Sequence, residues 1–182
     1  MQNNNKKLNL LIIEGNTKEE NINFNRAGCI SQSENFSEHI KIHAPNSEID
    51  IVEPCNDDEC ISKVISSLKK YNGIILTGST LRVNETCKSV KKHIEFVKKC
   101  LEHGGYFFAA CWGLQYHPEI PYSYMIKLLK HRKKKLLDAK SFQNENEIDK
   151  HIDLITREDQ KTNDNSRTLE LKNWLEYLEV KN

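Results

Sequence analysis

YFFAACWGLQYHPE, Tyr106 to Glu119, contains the turn on which the reading of the fold rests. Its first five residues, Tyr106 to Ala110, follow Gly104-Gly105 and form a short apolar run, the pattern of a strand buried on both faces. Cys111-Trp112-Gly113 then turns sharply. Small neighbours let a backbone bend tightly at the end of a strand and expose the side chain at the bend, so Cys111 is a candidate nucleophile held in an elbow. Shortly downstream, His117-Pro118-Glu119 supplies an imidazole and a carboxylate. Those are the groups that deprotonate a thiol and orient the base that does so.

Upstream of this stretch, strand and helix signals alternate. Leu8 to Ile13 reads as a buried strand ended by Gly15-Asn16, Glu48 to Val52 as a second stopped by Pro54, and Gly73 to Leu76 as a third. Between them lie three helical stripes. Phe36, Ile40 and His43 share one face, Ile61, Val64, Ile65 and Leu68 a second, and Val90, Ile94, Val97 and Leu101 a third. Apolar strands joined by helices predict a flavodoxin-like three-layer α/β/α fold with a parallel sheet of about four strands in the order 2-1-3-4. Ligands of such sheets gather at the carboxyl ends of the strands, where Glu14-Gly15-Asn16, Thr77-Gly78-Ser79 and Cys111 all fall.

The motif residues resemble those of the class I glutamine amidotransferases. That family carries a G-x-C-x-G elbow with Gln two residues on, and much later a Q-x-H-P-E strand end whose His and Glu complete a Cys-His-Glu triad. Cys111, Gly113 and Gln115 match the first motif; Gln115, His117, Pro118 and Glu119 match the second. Ala109 stands where the family usually has Gly. The segment that separates the two motifs in the family is missing, with the join inside Trp112-Gly113-Leu114-Gln115, so the chain reads as a shortened member.

The resemblance implies glutaminase-type hydrolysis, giving glutamate and ammonia. Cys111, His117 and Glu119 would be catalytic, and the backbone N–H groups of Gly78 and Trp112 would hold the oxyanion. Gln115 would contact the glutamine substrate or, as a junction residue, serve as a spacer. It implies no cofactor, and an ammonia-accepting synthetase would be a separate partner, because no synthetase domain is legible in this sequence.

The spacing sets a physical limit on that chemistry. A thiolate is favoured by the N-terminus of a helix starting just after it, but Pro118 and Pro121 leave Trp112 to Tyr116 barely one turn. Six extended residues span at most ~20 Å, so His117 can approach Cys111 without a strand to hold it there. Low turnover is therefore expected. A non-catalytic α/β binding or regulatory module of the same descent is the alternative, and another flavodoxin-like hydrolase with a different base for Cys111 is a third reading.

Downstream, Tyr122 to Leu137 reads as one amphipathic helix, with Met125, Leu128, Leu129 and Leu136 set among Lys and Arg. Asp138 to Asn165 reads as polar, with at most a short helix around Ile148 to Ile155 and irregular chain over Ser141 to Asn146. Leu171, Trp174, Leu175 and Leu178 then share a helical face on which Trp174 is expected to be buried. Leu171-Lys172-Asn173-Trp174 resembles the tail of bacterial amidotransferase-like proteins. The expected organisation is an amidotransferase-like α/β domain over 1–137 followed by a polar linker and helical C-terminal extension over 138–182.

The 182 residues suffice for one domain with a core, and a mean hydropathy of -0.68 with 29% charged residues describes a solvated surface. No apolar run nears the ~20 residues a bilayer needs, and Met1 to Lys7 is too polar to open a signal peptide, so a cytoplasmic protein without membrane association is expected. The six cysteines, at 29, 55, 60, 87, 100 and 111, lack the spacing of a disulfide scaffold and read as free thiols. The basic run from Lys127 to Lys135 has no interleaved aromatic platform in a chain of net charge +1. It reads as a solvated helix face rather than a nucleic-acid site. Cys100, His103, Cys111 and His117 lack the spacing of a metal set.

Overall fold

The structure, a computed structural model, describes residues 6–56, 58–81, 86–110 and 119–181, with the side chains of 58–60, 164 and 165 outside the description. Four strands, β1 (Asn9–Ile13), β2 (Glu48–Val52), β3 (Gly73–Leu76) and β4 (Phe107–Ala109), form a parallel sheet in the order β2-β1-β3-β4. This is the expected topology. Glu14 N donates to Val52 O, Thr77 N to Ile13 O and Ala110 N to Leu76 O, so pairing runs one residue past each of these strands at their carboxyl ends.

Nine α-helices occur among the described residues: α1 (Lys18–Arg26), α2 (Gln32–His43), α3 (Asp58–Ser66), α4 (Lys88–His103), α5 (Tyr122–His131), α6 (Lys133–Asp138), α7 (Glu145–Asp159), α8 (Asp164–Arg167) and α9 (Leu169–Lys181), with a 3-10 turn at Leu68–Lys70. Alternation along β1 divides the core. Leu10 and Ile12 face one layer with Phe36 and Ile40 of α2 and Leu171, Leu175 and Leu178 of α9; Leu11 and Ile13 face the other with Val64 of α3 and Phe96 and Cys100 of α4. The three-layer reading holds.

On α9, Leu171, Leu175 and Leu178 lie at i, i+4 and i+7 and fill the centre of the interface. Trp174 docks as expected but flanks that stripe, so it is only half-buried, its ring centroid 5.5 Å from that of Phe108. Close approach here depends on Gly73. A β-carbon at that position would come within 2.6 Å of both Leu178 and the Trp174 ring.

Four readings of the helices need correction. α1, capped by Thr17 and burying only Phe24, has too few apolar residues to be singled out by periodicity. On α4 the buried residues are Val90, Phe96 and Cys100, while Ile94 and Leu101 are 42% and 57% exposed. The helix is rolled to bury its aromatic ring instead of the all-aliphatic stripe. The amphipathic segment after Pro121 is two helices, broken where Arg132 adopts φ −99° and ψ 10°. Finally, α7 runs for 15 residues, because Asn144 caps it by accepting from Glu147 N and Ile148, Ile152 and Ile155 give it a buried stripe against α5 and α6. Of the 141–146 segment expected to be irregular, only 141–144 is so.

Candidate functional site

The carboxyl edge of the sheet holds a fully buried carboxylate. Glu14 Oε1 accepts from Asn16 N and Glu14 Oε2 from Ser33 N, both at 2.9 Å, and Thr77 Oγ1 lies 3.4 Å from Oε1. One side chain thereby joins the end of β1, the first turn of α2 and the end of β3. Burial pushes the Glu14 carboxyl above its ordinary value, the two backbone N–H donors oppose that rise, and the nearby Glu53 charge adds to it.

The loops after β1 and β3 are cross-linked around this carboxylate. Thr77 Oγ1 accepts from Gly15 N at 2.9 Å and donates to Gly78 O at 2.9 Å; Ser79 Oγ donates to Gly15 O at 2.7 Å; Thr80 N donates to Asn16 Oδ1 at 3.0 Å. Gly15 is required by that approach, since a β-carbon there would meet Gly78 O at 2.5 Å and Ser79 Cβ at 2.9 Å. α2 reaches the same edge because Ser31 and Glu34 form a reciprocal capping box that fixes its start. Gln32, Ser33 and Asn35 on that first turn are buried, as are Glu14, Asn16 and Thr77, and Ser33 N joins the two groups through Glu14. An interior otherwise apolar thus carries a polar shelf at the end of the sheet where ligands of parallel α/β folds bind.

Of the residues to which the resemblance gives a catalytic, oxyanion or substrate-binding role, Gly78 and Glu119 are described, and both are buried. Gly78 sits in the turn after β3, beside the shelf. Cys111, Trp112, Gln115 and His117 lie outside the described residues. The chain leaves the description at Ala110, whose N–H is bonded to Leu76 O directly before Thr77 and Gly78, and returns at the buried Glu119. Reading the sequence found Glu14, Asn16 and Thr77 by their position at strand ends but missed Gln32, Ser33 and Asn35. The available signal was Ser31-x-x-Glu34 ahead of Phe36.

Several side chains of the basic run have structural partners. Arg132 pairs with Glu20 at 2.9 Å and lies over the Phe24 ring, Lys133 pairs with Asp149 at 2.6 Å, and Lys127 donates to Gly28 O at 3.2 Å. The basic run therefore fastens α5 and α6 to α1 and α7. Among the described residues no group of His, Cys, Asp or Glu is arranged to hold a metal ion, and no helix is long and apolar enough to cross a membrane. Cys29, Cys55, Cys87 and Cys100 are free thiols; burial raises the pKa of Cys29 and pushes Cys55 and Cys100 up to about 11.

The chain is 29% identical over 110 residues to a gamma-glutamyl-L-1-hydroxyisopropylamide hydrolase from a Pseudomonas species, an alignment covering 60% of this chain and 36% of that protein. It therefore spans about a third of the length of the curated relative it matches. This distant likeness supports a hydrolase-like lineage. No family model and no solved structure matches the chain.

Proposed function

We propose that this chain is a class I glutamine amidotransferase-like protein that binds a γ-glutamyl amide at the carboxyl edge of its sheet and hydrolyses it slowly through Cys111. The observation that carries the reading is the polar shelf around Glu14, bordering the residues that lead into Cys111. The likeness to a hydrolase of a γ-glutamyl amide supports the substrate class.

His117 takes the Cys111 proton, and the thiolate attacks the side-chain carbonyl carbon of the γ-glutamyl group. The N–H groups of Gly78 and Trp112 hold the resulting oxyanion, Gln115 contacts the substrate and Glu119 orients His117. His117 returns the proton to the departing nitrogen, and water then cleaves the thioester to release glutamate. With glutamine, the ammonia set free passes to a separate ammonia-accepting synthetase. The four described free thiols support a reducing, cytoplasmic setting.

Slow turnover is expected because the sequence lacks the segment that in the family builds the helix after the Cys and the strand before the His, and Pro118 and Pro121 follow within ten residues of Cys111. Activation of the thiol and positioning of the base are each commonly worth ~10²-fold or more in rate. Glutamate released from glutamine, and from γ-glutamyl-L-1-hydroxyisopropylamide, is expected to be slow with the purified chain and absent from Cys111→Ala. Equal release by the two proteins would contradict Cys111 as nucleophile. Binding of glutamine with no release by either would instead assign the chain to the non-catalytic binding module.

A further inference from the structure

Two side-chain amides of the shelf have hydrogen-bonding capacity that the protein does not use. Asn16 is fully buried, and its orientation is fixed because Oδ1 accepts from Thr80 N at 3.0 Å and faces Thr80 Oγ1 at 3.4 Å. That leaves its Nδ2 group buried with no partner. Gln32, 4% exposed at the first position of α2, has a buried Oε1 in the same condition. Glu14 ties together the segments that carry them: the Asn16 N–H is held on one carboxylate oxygen, and the N–H of Ser33, adjacent in sequence to Gln32, on the other.

Buried polar atoms without partners are few in native proteins because each is costly, so an open donor on Asn16 and an open acceptor on Gln32, on two segments that Glu14 ties together, call for an explanation. None of Glu14, Asn16, Gln32, Ser33 and Thr77 is basic. A bare anion such as sulfate offers acceptors only and would set its oxygens against Gln32 Oε1. An amino-acid head offers an acceptor and a donor on one carbon.

We infer that Asn16 and Gln32 form the subsite for the amino-acid head of a γ-glutamyl ligand, Asn16 Nδ2 donating to the α-carboxylate and Gln32 Oε1 accepting from the α-ammonium. The inference rests on the γ-glutamyl reading above. Glu14 supports it by fixing the backbone of Asn16 and that of Ser33, the residue next to Gln32. The subsite lies at the end of β1 and the start of α2, which puts the head of the ligand on the β1 side and leaves its side-chain amide to extend past Gly78 toward the end of β4.

The test is calorimetric titration of the full chain in a Cys111→Ala background, which blocks turnover, with three ligands: glutamine, glutaramate lacking the α-amino group, and 4-aminobutanamide lacking the α-carboxylate. The parent should prefer glutamine to either analogue by about tenfold or more. Asn16→Asp keeps the acceptor for Thr80 but sets an oxygen against the α-carboxylate. It should weaken glutamine about tenfold and leave 4-aminobutanamide unchanged. Gln32→Met should weaken glutamine and leave glutaramate unchanged. Thermal melts verify that both variants fold. No glutamine binding by the parent, or equal weakening of all three ligands in either variant, would overturn the assignment. If these ligand-specific losses are found while the Cys111 protein releases no glutamate, the subsite stands and the proposed hydrolysis fails.

Discussion

Truncation after Thr168, which removes α9, is expected to abolish the cooperative thermal transition of the chain. Leu171, Leu175 and Leu178 are 0–2% exposed and cover Leu10, Ile12, Phe36 and Phe108 on one face of the sheet. Burying three leucines is worth about 5–9 kcal/mol. That is comparable to the whole stability of a typical domain. Two further contacts would be affected, the Tyr106–Tyr177 ring pair at 5.3 Å and the His43–Thr168 hydrogen bond at 3.1 Å. Circular dichroism melting checks the expectation. A truncated chain that melts cooperatively within a few degrees of the parent would mean that α9 is an appendage and not a wall of the core.

Glu14→Ala is expected to cost about 2–4 kcal/mol at neutral pH. It strands the buried N–H groups of Asn16 and Ser33, each orphan costing about 1–3 kcal/mol, while relief of the carboxylate's own burial offsets part of the loss. Glu14→Gln should cost less, because one acceptor remains and only one N–H donor then faces an amide NH₂. The pH dependence has a definite sign. A carboxyl whose folded pKa lies above its ordinary value of 4.5 contributes stability that is fully present below that value and is lost as pH rises through the folded pKa. The stability of the parent relative to Glu14→Gln should therefore fall as pH rises from the ordinary carboxyl range. Urea titrations across that range test this, and a difference that grows with pH would contradict a carboxylate whose environment is dominated by burial.

The sheet was legible because each strand is an apolar run bounded by punctuation, Gly15 after β1, Pro54 after β2 and Gly104-Gly105 before β4. Parallel order follows from the helices between them. The helix faces were less so. On α4 two stripes compete, and the roll that buries Phe96 and Cys100 is decided by the fit against β3, which no local period encodes. The length of α7 depends on the Asn144 cap and on tertiary cover for three isoleucines in a highly charged sequence.

The site was legible only at its strand ends. Gln32, Ser33 and Asn35 have the composition of a solvated helix start and become a polar shelf because Glu14, on a different element, binds the α2 backbone. A buried polar cluster is a tertiary fact, visible in the sequence only through the capping box that aims the helix.

The proposed function makes Cys111 a nucleophile beside a γ-glutamyl site. It is tested most directly by following iodoacetamide alkylation of each cysteine by mass spectrometry, with and without glutamine. Burial holds Cys29, Cys55 and Cys100 in the slow thiol form, so the exposed Cys87 sets the ordinary rate. Alkylation of Cys111 faster than that of Cys87 and slowed selectively by glutamine is the predicted result. Alkylation of Cys111 no faster than that of Cys87, and indifferent to glutamine, would contradict the claim.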